Sequence, residues 1–296
     1  MKGVRDLGFR SEMLRPSPHP FLSSRPGTPS YGSSAIFGVP YDRTSSWRRG
    51  SALAPSRIRD ASSSIESYSP DLDKDLSELD LVDMGDLDVS DLEPDEMIRR
   101  VEWVAKEIFM AGAFPVAIGG EHTITLGLLK AAKLFYPDLM VLHMDAHADM
   151  RDQYEGSVLN HTTVIRRVIE ELGDRRTIHI GIRSGTREEF KLFEEKKIPI
   201  FRSPDSERIL PLLGNAPIYI TLDIDILDPS EAPGTGNPEP GGIGFSELIA
   251  FLYKLSGMKI IGADVVEVSP PYDVGDITSI CAAKILREIL LIVRDL

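Results

Sequence analysis

Eight short apolar runs, spaced by polar connections and longer helical patterns, constrain this chain more than any other feature. They are AIFGVPY (35–41), LDLVDMGDL (79–87), FPVAIGG (114–120), DLMVLHMDA (138–146), TIHIGIR (177–183), IPIF (198–201), PIYITLDIDIL (217–227) and IIGADVVEV (260–268). Their length and near-continuous apolar character predict strands covered on both faces. Helical patterns run over 94–112, 123–135, 161–172, 187–196, 246–256 and 276–294. The first opens on Pro94 and closes near Gly112, the usual asymmetry of helix ends. Thr186 followed by Glu189 is a capping-box start for the segment over 187–196. Strand and helix in alternation predict an α/β fold built on a mostly parallel sheet of about eight strands. Such sheets bind ligands outside the C-terminal ends of their strands, so the active site is expected there.

Residues 15–34 are rich in Pro and Ser and carry no hydrophobic period, so 1–34 reads as an irregular N-terminal arm and 35–296 as a single domain. The one cysteine, Cys281, excludes an internal disulfide framework and fits a reducing compartment, so a cytoplasmic location is expected. No apolar stretch reaches the roughly 18 residues of a membrane span, and the start MKGVRDLGFRSEML lacks the core of a signal peptide. With a formal charge of −13, the chain repels polyanions, which argues against a nucleic-acid partner and leaves cations as candidate ligands.

Three of the strand ends carry the same chemistry. The third run ends in IGGEHT, with His122 directly after the turn. The fourth ends in DAHAD, where an extended chain would project Asp145, His147 and Asp149 to one side. The seventh, ITLDIDILD, embeds Asp223 and Asp225 among Ile and Leu; at i and i+2 of a strand they would share a face. Two buried carboxylates that close repel unless a positive charge lies between them. His122, Asp145, His147, Asp149, Asp223 and Asp225 therefore read as six metal ligands. Four carboxylates, two imidazoles and no thiolate favour divalent manganese or a similar ion. Six protein ligands are too many for one catalytic ion but suit two, about 3.5–4 Å apart, that share a water and lower its pKa towards about 7. His143 and His179 lie inside strand patterns and read as core or supporting residues; His19, in the arm, reads as solvated.

At these motifs the chain resembles the ureohydrolase family, the arginase and agmatinase relatives. GGEHTIT, DAHADMRD, ITLDIDILDPSEAPGTGNPEPGG and DVVEVSPPYD occur in family order, and GVPYDRTSSWRRGSALAPSRIRDAS (38–62) matches the family's N-terminal pattern. The resemblance spans roughly residues 35–296. It implies an arginase-like three-layer α/β/α fold, two Mn2+ per chain on the six residues above, and hydrolysis of a guanidino group to urea and an amine. It further implies that His161, in LNHTTV, shuttles protons and that Glu267, in VVEVSPP, receives the guanidinium. Asp149 would accept a hydrogen bond from the bridging hydroxide. Family members are commonly homo-oligomers, trimers or hexamers.

Within the family, DPSEAPGTGNPEPGG and DMRDQYEG look more like agmatinases than arginases, which implies agmatine as the small cationic guanidino substrate and putrescine, a polyamine, as product. Arg151, Asp152 and Glu155 follow the metal motif, and an acidic rim would suit the free ammonium of agmatine. Two positions depart from the pattern: Asn237 stands where threonine is usual and Arg49 where proline is common. Arg151 could also meet the carboxylate of guanidinobutyrate or formiminoglutamate, which with arginine are the alternative substrates. A binuclear phosphoesterase would need Gly-Asn-His and Gly-Asp-x-x-Asp signatures that are missing here, and a metal binder without turnover would need neither His161 nor Glu267. A related zinc amide hydrolase acting on acetylated polyamines would bind fewer ions.

Overall fold

The structure of the protein, a computed structural model, describes residues 13–293. All eight apolar runs form strands: β1 (Ser34–Val39), β2 (Leu81–Leu87), β3 (Phe114–Gly119), β4 (Met140–Met144), β5 (Thr177–Ile180), β6 (Ile200–Phe201), β7 (Ile218–Asp223) and β8 (Ile260–Val266). They lie in the order β2-β1-β3-β8-β7-β4-β5-β6, and every pairing among them is parallel.

Side chains alternate between two cores. Val116 and Ile118 of β3, Leu142 and Met144 of β4, and Ile220 and Leu222 of β7 enter one cluster; Ala117, Val141 and Tyr219 enter the other. The first cluster is closed by α1 (Ala54–Ser62), α6 (Ser206–Leu213), α7 (Phe245–Lys254) and α8 (Ile277–Ile292), through Ile58, Ile209, Leu248 and Ile285. The second is closed by α2 (Pro94–Met110), α3 (Thr125–Phe135), α4 (Val164–Leu172) and α5 (Arg187–Lys196), through Val101, Leu128, Ile165 and Phe193. The result is the expected three-layer α/β/α arrangement. A side chain such as Leu142, wholly removed from solvent, contributes about 1.5–3 kcal/mol of apolar burial.

Three features were not read from the sequence. Leu14–Arg15 and Arg25–Pro26, in the segment expected to be irregular, form two-residue strands on β2, and Phe21 between them is buried with its N–H on Asp83. Helix α1 was missed because its stretch is polar; Arg59 within it is buried and satisfied by Asp83 and Asp86 at 2.7 and 2.6 Å. Helix α6 was missed because Pro211 interrupts its pattern. Among the described residues no helix is long and apolar enough to cross a membrane.

Candidate active site

The four central strands, in the order β3-β8-β7-β4, end side by side, and each delivers candidate residues to one place. His122 follows β3 in a single 3-10 turn, His122–Ile124. Gly120 before it has no room for a side chain, since a Cβ would lie 1.9 Å from the Tyr41 carbonyl; this close approach brings the loop after β1 against the end of β3. Glu267 follows β8 and Asp223 ends β7.

The local conformations differ from the extended ones expected. Strand β4 stops at Met144, so Asp145, His147 and Asp149 lie in the loop beyond it. Asp149 is left-handed (φ 50°), and that bend, rather than strand alternation, returns its carboxylate to the cluster. Strand β7 stops at Asp223, and Asp225 sits in the 3-10 turn Ile224–Ile226, with its N–H on Asp223 Oδ1 at 2.8 Å. Glu267 is also left-handed (φ 64°), the kind of local strain that collects at functional sites.

All six proposed ligands nevertheless converge. Nδ1 of His122 lies 3.1 Å from Asp145, 3.3 Å from Asp149 and 3.6 Å from Asp223. Nδ1 of His147 lies 2.9 Å from Asp225 and 3.6 Å from Asp145. Asp145, His147 and Asp225 form a group with ligand atoms close enough to hold one ion. His143 and Asp145 also group with His122, but Nε2 of His143 is 2.9 Å from Asp145 Oδ2 as a hydrogen-bond partner, and its Nδ1 meets His179 Nδ1 at 2.8 Å. Those two histidines support Asp145 from behind. His19 is exposed, 3.3 Å from Asp60.

The hydrogen bonds of His122 test whether cations fit. Asp264 is buried and accepts the Thr221 hydroxyl at 2.7 Å and the Tyr219 hydroxyl at 2.9 Å. Having given its proton to Asp264, Thr221 must accept from Nε2 of His122 at 2.9 Å. Nδ1 of the ring is a buried atom with no hydrogen-bond partner, aimed at three carboxylates; burial favours the neutral ring, but those carboxylates raise its pKa well above the ordinary value. Three buried carboxylates around one imidazole nitrogen call for positive charge among them, which a cation held at Nδ1 supplies in place of a proton. The donor set therefore fits metal ions.

The electrostatics point the same way. Burial, followed by the charge of neighbouring carboxylates, pushes Asp149 and Asp223 above the usual carboxylate range, and burial does the same to Asp225 against the opposing charge of His147. Asp145 moves down, because hydrogen bonds from His122, His143 and His147 outweigh its burial. His147 is driven up to about 12, its burial overcome by Asp225 and Asp145.

His161 begins the turn before α4, with Nδ1 3.4 Å from Glu267 Oε1. Burial favours its neutral form, but Glu267, Asp149 and Glu121 outweigh that and raise it to about 9. Nε2 accepts the Ser46 N–H at 3.0 Å. Oε1 of Glu267 in turn accepts the His122 N–H at 2.8 Å.

A cavity of about 390 Å³ opens onto Asp149, His161, Asp223, Asp225 and Glu267. Its mouth includes Trp47, Arg151, Asn237 and Glu239. Asp152 and Glu155, expected on an acidic rim, do not line it: Asp152 pairs with Arg166 and Arg167, and Glu155 is exposed on a turn. Glu239 takes that place instead. Asn237 does border the cavity and bonds Ser46 Oγ at 3.3 Å, while Arg49 donates to the Arg43 carbonyl. Also missed was Arg183, whose guanidinium donates to the carbonyls of Asp225, Ile226, Leu227 and Glu239 and pins the Asp225 turn to the mouth.

Comparison with known proteins agrees with this geometry. Agmatinase of Bacillus subtilis (strain 168) is 41% identical over 276 residues, covering 92% of this chain and 95% of the relative. The crystal structure of agmatine ureohydrolase of Thermoplasma volcanium superposes with a TM-score of 0.83 at 34% identity, over 93% of this chain and 94% of that one. Proclavaminate amidino hydrolase from Streptomyces clavuligerus gives 0.85 at 31% identity, over 93% and 96%. The arginase family model matches residues 33–292. On its sequence, its sheet order and the convergence of its strand ends, this chain belongs to the arginase family.

Proposed function

We propose that the protein hydrolyses agmatine to putrescine and urea, with two manganese ions held by His122, Asp145, His147, Asp149, Asp223 and Asp225. The observation that carries this reading is Nδ1 of His122, buried without a hydrogen-bond partner and aimed at Asp145, Asp149 and Asp223. Bound there, two divalent ions would supply Lewis acidity and a water ionised near neutral pH.

The chain's own residues supply the rest. The guanidinium carbon is a poor electrophile because its charge is delocalised, so the substrate must be held in attack geometry. Glu267 uses one oxygen for the His122 N–H and lines the cavity with acceptor capacity left for the guanidinium. Asp149 accepts a hydrogen bond from the attacking water and so orients it. His161, in contact with Glu267 at the cavity wall, delivers a proton to the departing amine.

The choice of agmatine rests on similarity to agmatinases and on charge. Apart from the proposed ligands, the carboxylates of Glu189, Glu239 and Glu267 outnumber the Arg151 guanidinium and the His161 imidazole in the cavity lining. Agmatine carries two positive charges. Guanidinobutyrate, formiminoglutamate and arginine each add a carboxylate and fit this lining less well. A cytoplasmic homo-oligomer completes the reading, its assembly open to sedimentation analysis.

Urea release by manganese-loaded protein from agmatine, arginine and guanidinobutyrate, with formamide release from formiminoglutamate, tests it. Turnover of agmatine well above the others is expected. Preference for any carboxylate-bearing substrate overturns the assignment.

A further inference from the structure

Glu121 is a fully buried carboxylate beside the site to which the chemistry above gives no part. Burying a carboxylate is unfavourable unless its oxygens are satisfied, and here three donors converge on them. The Thr123 hydroxyl donates to Oε1 at 2.6 Å and the Thr44 N–H to Oε2 at 2.7 Å; the Thr44 hydroxyl also bonds Oε1. Two of the three come from one residue on the loop between β1 and α1. Glu121 thus anchors that loop.

The loop then holds His161 from two sides. The single Thr44 hydroxyl proton points at Glu121, and the oxygen's lone pairs are left to accept the His161 N–H at 3.2 Å. Two residues on, the Ser46 N–H bonds the His161 ring at Nε2. We infer that Glu121 is a positioning residue that, through Thr44 and Ser46, fixes the backbone and ring of His161 against Glu267. The inference rests on the role proposed for His161. It joins three segments that are far apart in the chain, the ends of β1 and β3 and the start of the turn before α4.

Glu121→Gln is the obvious variant, but it places an amide donor among donors inside the core and risks misfolding. Thr44→Val keeps the shape, leaves every proposed ligand untouched and removes both the proton for Glu121 and the acceptor for the His161 N–H. Crystal structures of manganese-loaded wild type and Thr44→Val are compared, with steady-state kinetics on both and on Thr44→Ser. The Ser46 N–H bond to His161 is expected to be lost in the valine variant, with kcat reduced about ten-fold, KM changed less than about three-fold and metal content unchanged. Thr44→Ser is expected to restore both the bond and the rate. A His161 ring that keeps its place in Thr44→Val overturns the inference, as does a loss of kcat that serine does not repair. Wild-type turnover by His161→Asn would instead remove the role given to His161, and the ring position in Thr44→Val would still decide whether Glu121 and Thr44 hold it.

Discussion

His147 and Asp225 meet at 2.9 Å, Nδ1 to Oδ2, although they lie beyond the ends of two different strands, β4 and β7. The Ala146 N–H donates to the other Asp225 oxygen at 3.0 Å, so the two turns are stitched together at the proposed ligands themselves. Asp225→Asn keeps the volume and removes the charge. Metal analysis is expected to show fewer than two ions per chain, and kcat to fall by about 10²-fold or more. Full occupancy with unchanged kcat would show that Asp225 is not a ligand.

Glu267 and His161 touch each other but are assigned different tasks, so their variants should separate. Glu267→Gln loses the charge that meets the guanidinium and is expected to lower kcat/KM by about 10²–10³-fold, roughly 3–4 kcal/mol, with metal content intact. His161→Asn is expected to lower kcat by about 10²-fold or more while KM holds, as for a proton-transfer residue. Identical changes in kcat and KM for both variants would argue against separate roles.

Removing metal should weaken the fold as well as the activity. Without cations the cluster leaves Asp149, Asp223 and Asp225 buried with carboxyls that resist ionisation. A ligand that binds only the native state stabilises it, by about 2.7 kcal/mol at a hundred times its Kd. Chelator-treated protein is therefore expected to melt at a lower temperature, and manganese to restore the melting point dose by dose. A melting point indifferent to manganese would contradict a buried ion site.

Asp228 offers a check by pH away from the ligands. Hydrogen bonds from the Ser230 hydroxyl and N–H, and from the Gly241 and Gly242 N–H groups, bring its pKa down to about 2. The folded pKa lies below the ordinary value of 3.8, so the stabilisation is present above that value and is lost as pH falls through about 2. Asp228 is largely solvent-screened, so the effect is small. Asp228→Asn is expected to lower Tm at neutral pH by about 1–2 °C, and the difference from wild type should vanish in strong acid. A gap that persists there would mean the residue acts by something other than its charge.

Much of this arrangement was legible in the residues because burial on both faces leaves a strong signature. The near-continuous apolar runs mark the eight strands β1 to β8 but not the two short strands of the N-terminal segment, and Asp223 stands out against Ile220, Leu222 and Ile224. The local path of the chain was less legible. Asp145, His147 and Asp149 read as extended, and only the left-handed φ of Asp149 shows how its carboxylate returns. Aspartate tolerates that conformation better than most residues, but nothing in the sequence says which aspartate of DAHAD adopts it. Glu121 was hidden for another reason. Its function depends on Thr44 and His161, and nothing in GGEHT says which loop will lie over it. Helix α1 depends in the same way on Arg59 finding Asp83 and Asp86.

The most direct test of the metal centre is anomalous diffraction from crystals soaked in manganese. Two peaks about 3.5–4 Å apart are expected, each ligated by members of the set His122, Asp145, His147, Asp149, Asp223 and Asp225, with Nδ1 of His122 on one ion. A map with no peak among these side chains, or with His122 Nδ1 still facing bare carboxylates at saturating manganese, would contradict it.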